Sequence, residues 1–257
     1  MQIVKRVFTL PLLVSLCASF TISASIENET FETPKLSQEA QHETASKRMT
    51  SWFLRYHYKK TQLDDELSAK VYKKFIENLD YNKSIFLQKD LDNFAQYQYK
   101  FDDAIKAGKL QFAFEIYEES IKRRIERYDY SIKVLDSKLD FEKDDVFYYD
   151  REDAAWPKTV AEQDEFWRQK TKYDALNLKL AGKEIPQIKE TLTKRYTNAK
   201  RRLSQTQSED AFQLVMNAFA TSIEAHTSYL SPRRSDRFNI DMNLELEGIG
   251  AVLQPVD

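Results

Sequence analysis

The residues able to do chemistry are few in this chain, and their spacing excludes more than it offers. The three histidines, His42, His57 and His226, are far apart and form no HExxH pattern, so zinc ligation finds no set of donors. No metal ligand is assigned, and no cofactor. No Gly-x-Ser-x-Gly elbow occurs, and no serine after the N-terminal segment has a lysine three residues on. Phosphate-loop and dinucleotide fingerprints are missing. Carboxylates are abundant, but none is singled out as an acid–base pair. No catalytic residue is therefore assigned.

Two places remain. His226 closes a helical pattern and is followed by Thr227-Ser228-Tyr229-Leu230-Ser231-Pro232. It is open to two readings, a catalytic base or a histidine that bonds a helix end or a domain junction, and the structural one is favoured. Gly248-Ile249-Gly250 is the second place. It reads as a turn into an edge strand, or as a nest of backbone amides beside a strand edge that captures a peptide carboxylate. A second domain is expected to open there and to be cut off at Asp257.

The elements that position these residues read as helices. The 257 residues include only four glycines and six prolines, with 13% aromatic and 31% charged side chains. That composition favours long helices with ring-filled cores. A first helix is expected over 37–59, with Met49, Trp52, Phe53 and Tyr56 as its buried stripe. Leu67, Val71, Phe75 and Leu79 mark a second, and Asp80 to Ser84 a turn. A third runs over 88–107 to a left-handed cap at Gly108. Phe114, Tyr117, Ile121, Ile125, Tyr128, Ile132 and Leu135 form the longest pattern. An acidic, aromatic connector spans 136–157. Capping signals at Thr159 and Thr206 open further helices, and Pro186 suits the first turn of the one between them.

The N-terminus is built like an export signal. Lys5 and Arg6 precede an apolar run, Val7 to Phe20, and small residues follow at Ser23 to Ser25. The expected division is a signal peptide over 1–24, a polar arm over 25–36, a helical domain over 37–243 and a further domain from 244. Cys17, the one cysteine, would leave with the signal, so thiol chemistry and disulfides drop out. The formal charge of −2 provides no basic excess for nucleic acid, and the runs Lys122 to Arg124 and Lys200 to Arg202 are read as solvated helix faces. No membrane span is expected after signal cleavage.

The run Phe219 to Pro232, with Phe238 and then Glu247-Gly248-Ile249-Gly250-Ala251-Val252-Leu253, resembles the carboxy-terminal processing proteases. There a helix ends in Asp-Pro-His-Ser/Thr-x-Tyr-Leu-x-Pro, a short helix follows, and a Gly-Ile-Gly strand opens a PDZ domain. Glu224-Ala225 stands where that family often has Asp-Pro. Thr50 to Phe53, Ala155 to Lys158 and Lys200 to Thr206 resemble its tail-specific branch in the Gram-negative periplasm.

The resemblance implies an all-α N-terminal domain followed by the first strand of a truncated PDZ domain. It places Gly248, Ile249 and Gly250 at the carboxylate loop, with Leu246 and Leu253 near the ligand or hinge. It implies a periplasmic enzyme with a serine nucleophile and a lysine base, both beyond Asp257, so that this chain alone is inactive. The implied partners are the C-terminal tails of substrate proteins, and a lipoprotein adaptor. A non-enzymatic exported helical scaffold or adaptor is the other reading.

Overall fold

The computed structural model describes residues 30–137 and 139–243. The signal segment and the five residues expected at the peptide groove, Leu246, Gly248, Ile249, Gly250 and Leu253, lie outside the described residues. Among those described there are nine α-helices, one 3-10 turn and no strand.

The longest helix, α5 (Gln111–Asp136), is the spine. Its 26 residues rise roughly 39 Å, enough to serve two cores in succession. Phe114, Ile121 and Ile125, from its start to just past its middle, sit in a large core with α2 (Asp65–Leu79) and α8 (Ser208–Ile223). Leu135 on its second half joins Ala175 of α6 (Val160–Leu180) and Ile188, Leu192 and Tyr196 of α7 (Ile185–Ser204) in a smaller one. The four-residue repeat Leu67, Val71, Phe75, Leu79 is fully buried, as its period requires. Asp64 caps that helix by accepting the Leu67 N–H at 2.9 Å.

The first helix, α1 (Ala40–Tyr56), departs from the expected stripe. His42, Ser46 and Thr50 are buried, Met49 and Phe53 pack against the core, and Trp52 and Tyr56 are exposed. The reason is closeness. Ser46 Oγ donates to the Ile105 carbonyl at 2.7 Å, and a Cβ on Gly108 would lie 2.7 Å from the Glu43 carbonyl oxygen. No ring fits where α1 meets α4, so Ser46 takes that contact, while the His42 ring enters beside it against Phe114 and Phe212.

The helix expected over 88–107 is two helices. α3 (Gln88–Phe94) passes through a 3-10 turn (Ala95–Tyr97) before α4 (Phe101–Ala107) begins. Buried Ser68 of α2 interrupts the ladder: its hydroxyl donates to the Gln98 carbonyl at 2.9 Å and accepts the Phe101 N–H at 2.8 Å. Gly108 then closes α4 at φ +67°, the left-handed cap the sequence predicts.

Charges and rings hold the connector after α5. Asp145 bonds Lys172 and Arg168 of α6, and Phe147 packs between Phe166 and Tyr173. Trp156 reaches the turn after α2, whereas Tyr148 and Tyr149 stay exposed. The α8 cap sits one residue later than expected, with Asp210 accepting the Gln207 N–H at 2.9 Å.

The arm before α1 is tied down where it is described. Leu36 is buried and its N–H bonds Glu118. Phe31 lies under Lys200, whose amine pairs with Asp129 at 2.5 Å, so the Lys200 to Arg202 run is not wholly solvated. Arg123, in the other basic run, pairs with Asp90, Glu119 and Glu126.

Candidate functional site

The segment from the end of α8 into α9 (Pro232–Asn243) carries the motif residues. α8 is apolar on most of its surface, and Ala211, Phe212, Val215, Met216, Phe219 and Ile223 seat it in the large core. Its last carbonyls have no helical partner. Two lysines supply one. Lys59 Nζ donates to the Ile223 carbonyl at 2.8 Å, and Lys74 Nζ to the Thr221 carbonyl at 2.7 Å. Both cations also oppose the negative end of the helix dipole.

At Glu224 the backbone turns extended. The Glu224 carboxylate then folds the next turn over itself, accepting the His226 N–H at 2.9 Å and the Thr227 hydroxyl at 3.1 Å. Burial pushes its pKa up, but these two bonds prevail and hold it below the usual range. His226 contributes its backbone here, and its side chain is exposed. His57 also approaches the turn, with Nε2 3.5 Å from Thr227 Oγ1.

Tyr229 fixes the exit path. Asn217 of α8 accepts the Tyr229 N–H at 2.7 Å and donates to its carbonyl at 3.2 Å. The phenol stacks edge-on against Phe212 and donates to Glu209 Oε1 at 3.0 Å. Burial, with the Glu209 carboxylate beside it, pushes the Tyr229 pKa well up. The other Glu209 oxygen meets buried His42 of α1. One tyrosine thus clamps the outgoing chain to the start and the middle of α8 and, through Glu209, to α1. Ser231 is buried, its carbonyl accepts the Ser235 N–H at 2.8 Å, and α9 starts on Pro232.

This arrangement is made to orient a chain. Among the described residues no serine hydroxyl bonds a lysine amine, and no three histidines or carboxylates gather as metal donors. His42, Asn217 and Glu209 are the residues that sequence reasoning missed. The signal for Asn217 was its polarity in an apolar helix; His42 carried none.

Residues 49–233 match the family described as the tail-specific protease N-terminal domain. The match ends just inside α9, so Glu209, Asn217 and Tyr229 lie within it and His42 just before it. The chain belongs to this family. It is also 43% identical, over 246 residues, to the tail-specific protease of Haemophilus influenzae. That alignment covers 95% of the chain and 35% of the relative. The chain thus spans about a third of the length of this relative. Within the matched residues of this chain the described regular structure is helical, and the short helix implied after the motif is α9.

Proposed function

We propose that this chain is the N-terminal part of a periplasmic serine-type protease that processes or degrades proteins recognised by their C-termini. The family match across Glu209, Asn217 and Tyr229 carries the reading. In it, the helical domain is a platform that aims the following chain, and α9 leads into a PDZ domain. Gly248, Ile249 and Gly250 form its carboxylate loop, where glycine lets backbone amides approach a ligand closely. Leu246 and Leu253 lie beside the ligand or at the hinge. The serine and its lysine base belong to sequence beyond Asp257, and a lysine deprotonated by burial would activate the serine.

Export by the N-terminal segment brings the chain to the periplasm, where tails of substrate proteins and a lipoprotein adaptor would meet it. The test compares this chain with a form extended to the relative's length, on a protein substrate ending in apolar residues. Cleavage by the extended form alone is expected. Cleavage by this chain, or none by a folded extended form, would refute the proposal.

A further inference from the structure

From Thr44 to Leu63 the chain has no carboxylate, yet it carries Lys47, Arg48, Arg55, Lys59 and Lys60. Acids outnumber bases in the whole chain, 41 to 39, so this cationic window is local. α1 turns it into a surface. Arg48, Trp52, Arg55 and Tyr56 face solvent, and Tyr58 and Lys60 follow just past the helix end. Trp52 is 69% exposed, Tyr56 72% and Tyr58 79%. The Trp52 and Tyr56 rings lie 5.5 Å apart and form one patch. Among the described residues neither the Arg48 nor the Arg55 guanidinium has a hydrogen-bond or ion-pair partner. The carboxylates at the margins are engaged: Glu43 by Lys47, Asp64 by the α2 cap, and Glu224 by its own turn.

Unpaired cations beside large exposed rings call for an anionic partner that also takes up amphipathic aromatics. Shape chooses between such partners. The crevice beside the patch, between Phe53, Leu54, Leu63 and Phe219, holds only ≈ 10 Å³, about one water. A peptide needs pockets for its side chains, and this crevice is too small to hold one. A sheet of lipid headgroups needs no pocket. Tryptophan and tyrosine favour that layer, and lysine and arginine are drawn to anionic lipid. We propose that the Arg48–Lys60 face is a peripheral docking surface for an anionic phospholipid bilayer, with Trp52 and Tyr56 entering the headgroup layer and Arg48 and Arg55 on lipid phosphates. Contact is peripheral, since no helix among the described residues is long and apolar enough to cross a membrane.

The apolar run Val7 to Phe20 can itself enter lipid, so the test reads the patch alone, in the full chain. Trp52 is the one largely exposed tryptophan; Trp167 is buried and Trp156 half-buried. Phosphatidylcholine vesicles containing phosphatidylglycerol should shift its emission to the blue. Vesicles of phosphatidylcholine alone should not, added salt should reverse the shift, and Trp52→Phe should abolish it. Arg48→Glu with Arg55→Glu should weaken the response roughly tenfold or more, and the milder Arg48→Gln with Arg55→Gln should fall between. Circular dichroism confirms that each pair folds. No shift with anionic vesicles, or an unaltered shift in both folded arginine pairs, overturns the proposal. A shift with poly-glutamate and none with vesicles also overturns it, in favour of an acidic polypeptide.

Discussion

His42 Nε2 lies 3.0 Å from Glu209 Oε2, and its ring stacks on Phe212 at 4.6 Å. Nδ1 accepts the Glu39 N–H, so in the neutral ring Nε2 carries the proton and donates. This bond joins the first turn of α1 to the first turn of α8. Because Glu209 also holds Tyr229, the start of the domain is coupled to its exit.

Removing members of that chain should loosen the exit in order of what each supports. Tyr229→Phe deletes one hydroxyl bond and should cost about 1 kcal/mol. Asn217→Ala frees the Tyr229 backbone and should cost about 1–3 kcal/mol. His42→Ala removes a buried ring as well as its bonds, and about 2–4 kcal/mol is expected. Urea unfolding measures all three. Hydrogen exchange at 227–231 should quicken most in Asn217→Ala.

Asp80 is the organising carboxylate of the turn after α2. It accepts the N–H groups of Ser84, Ile85 and Phe86, and Trp156 Nε1–H at 3.0 Å. Asp80→Ala should cost on the order of 3 kcal/mol or more, because buried donors lose their acceptor. Trp156 fluorescence should move toward that of a solvated indole.

Gly108→Ala adds a left-handed backbone penalty, roughly 1 kcal/mol, to the 2.7 Å clash with Glu43. A loss of more than about 1 kcal/mol is expected by thermal unfolding. At Gly182, also at positive φ but with open space around it, alanine should cost only the backbone strain.

Hydrogen bonds from Lys172 and then Arg168 hold the Asp145 carboxyl far below the usual aspartate range. A depressed native pKa stabilises the fold above the ordinary value of about 3.9. That contribution is lost as pH falls from there toward the native value. Urea midpoints measured from neutral pH downward should therefore fall less steeply below about pH 4 in Asp145→Asn than in the unaltered chain.

Period and caps made much of the helical fold legible. Leu67 to Leu79, the α5 seam and the Gly108 cap follow from local spacing and backbone preference, which neighbours do not alter. The α1 stripe did not. Trp52 and Tyr56 have the right period and the wrong face: His42, Ser46 and Thr50 take the inner face, and the close Gly108–Glu43 approach that sets it leaves no local trace in the α1 sequence. The break at 95–100 is similar: it depends on Ser68, a residue from another helix.

The exit site divides the same way. The run from His226 to Pro232 was visible as a boundary, and Tyr229 was within it, but attention fell on His226, whose side chain faces solvent. The sequence by itself determined that the chain is helical, where most helices lie, and which family it resembles, since these depend on neighbours along the chain. Only the tertiary structure decided that His42, Glu209, Asn217 and Tyr229 form one clamp and that Trp52 and Tyr56 are left outside. Those outcomes depend on side chains far apart in sequence, and on how closely α1 can approach α4.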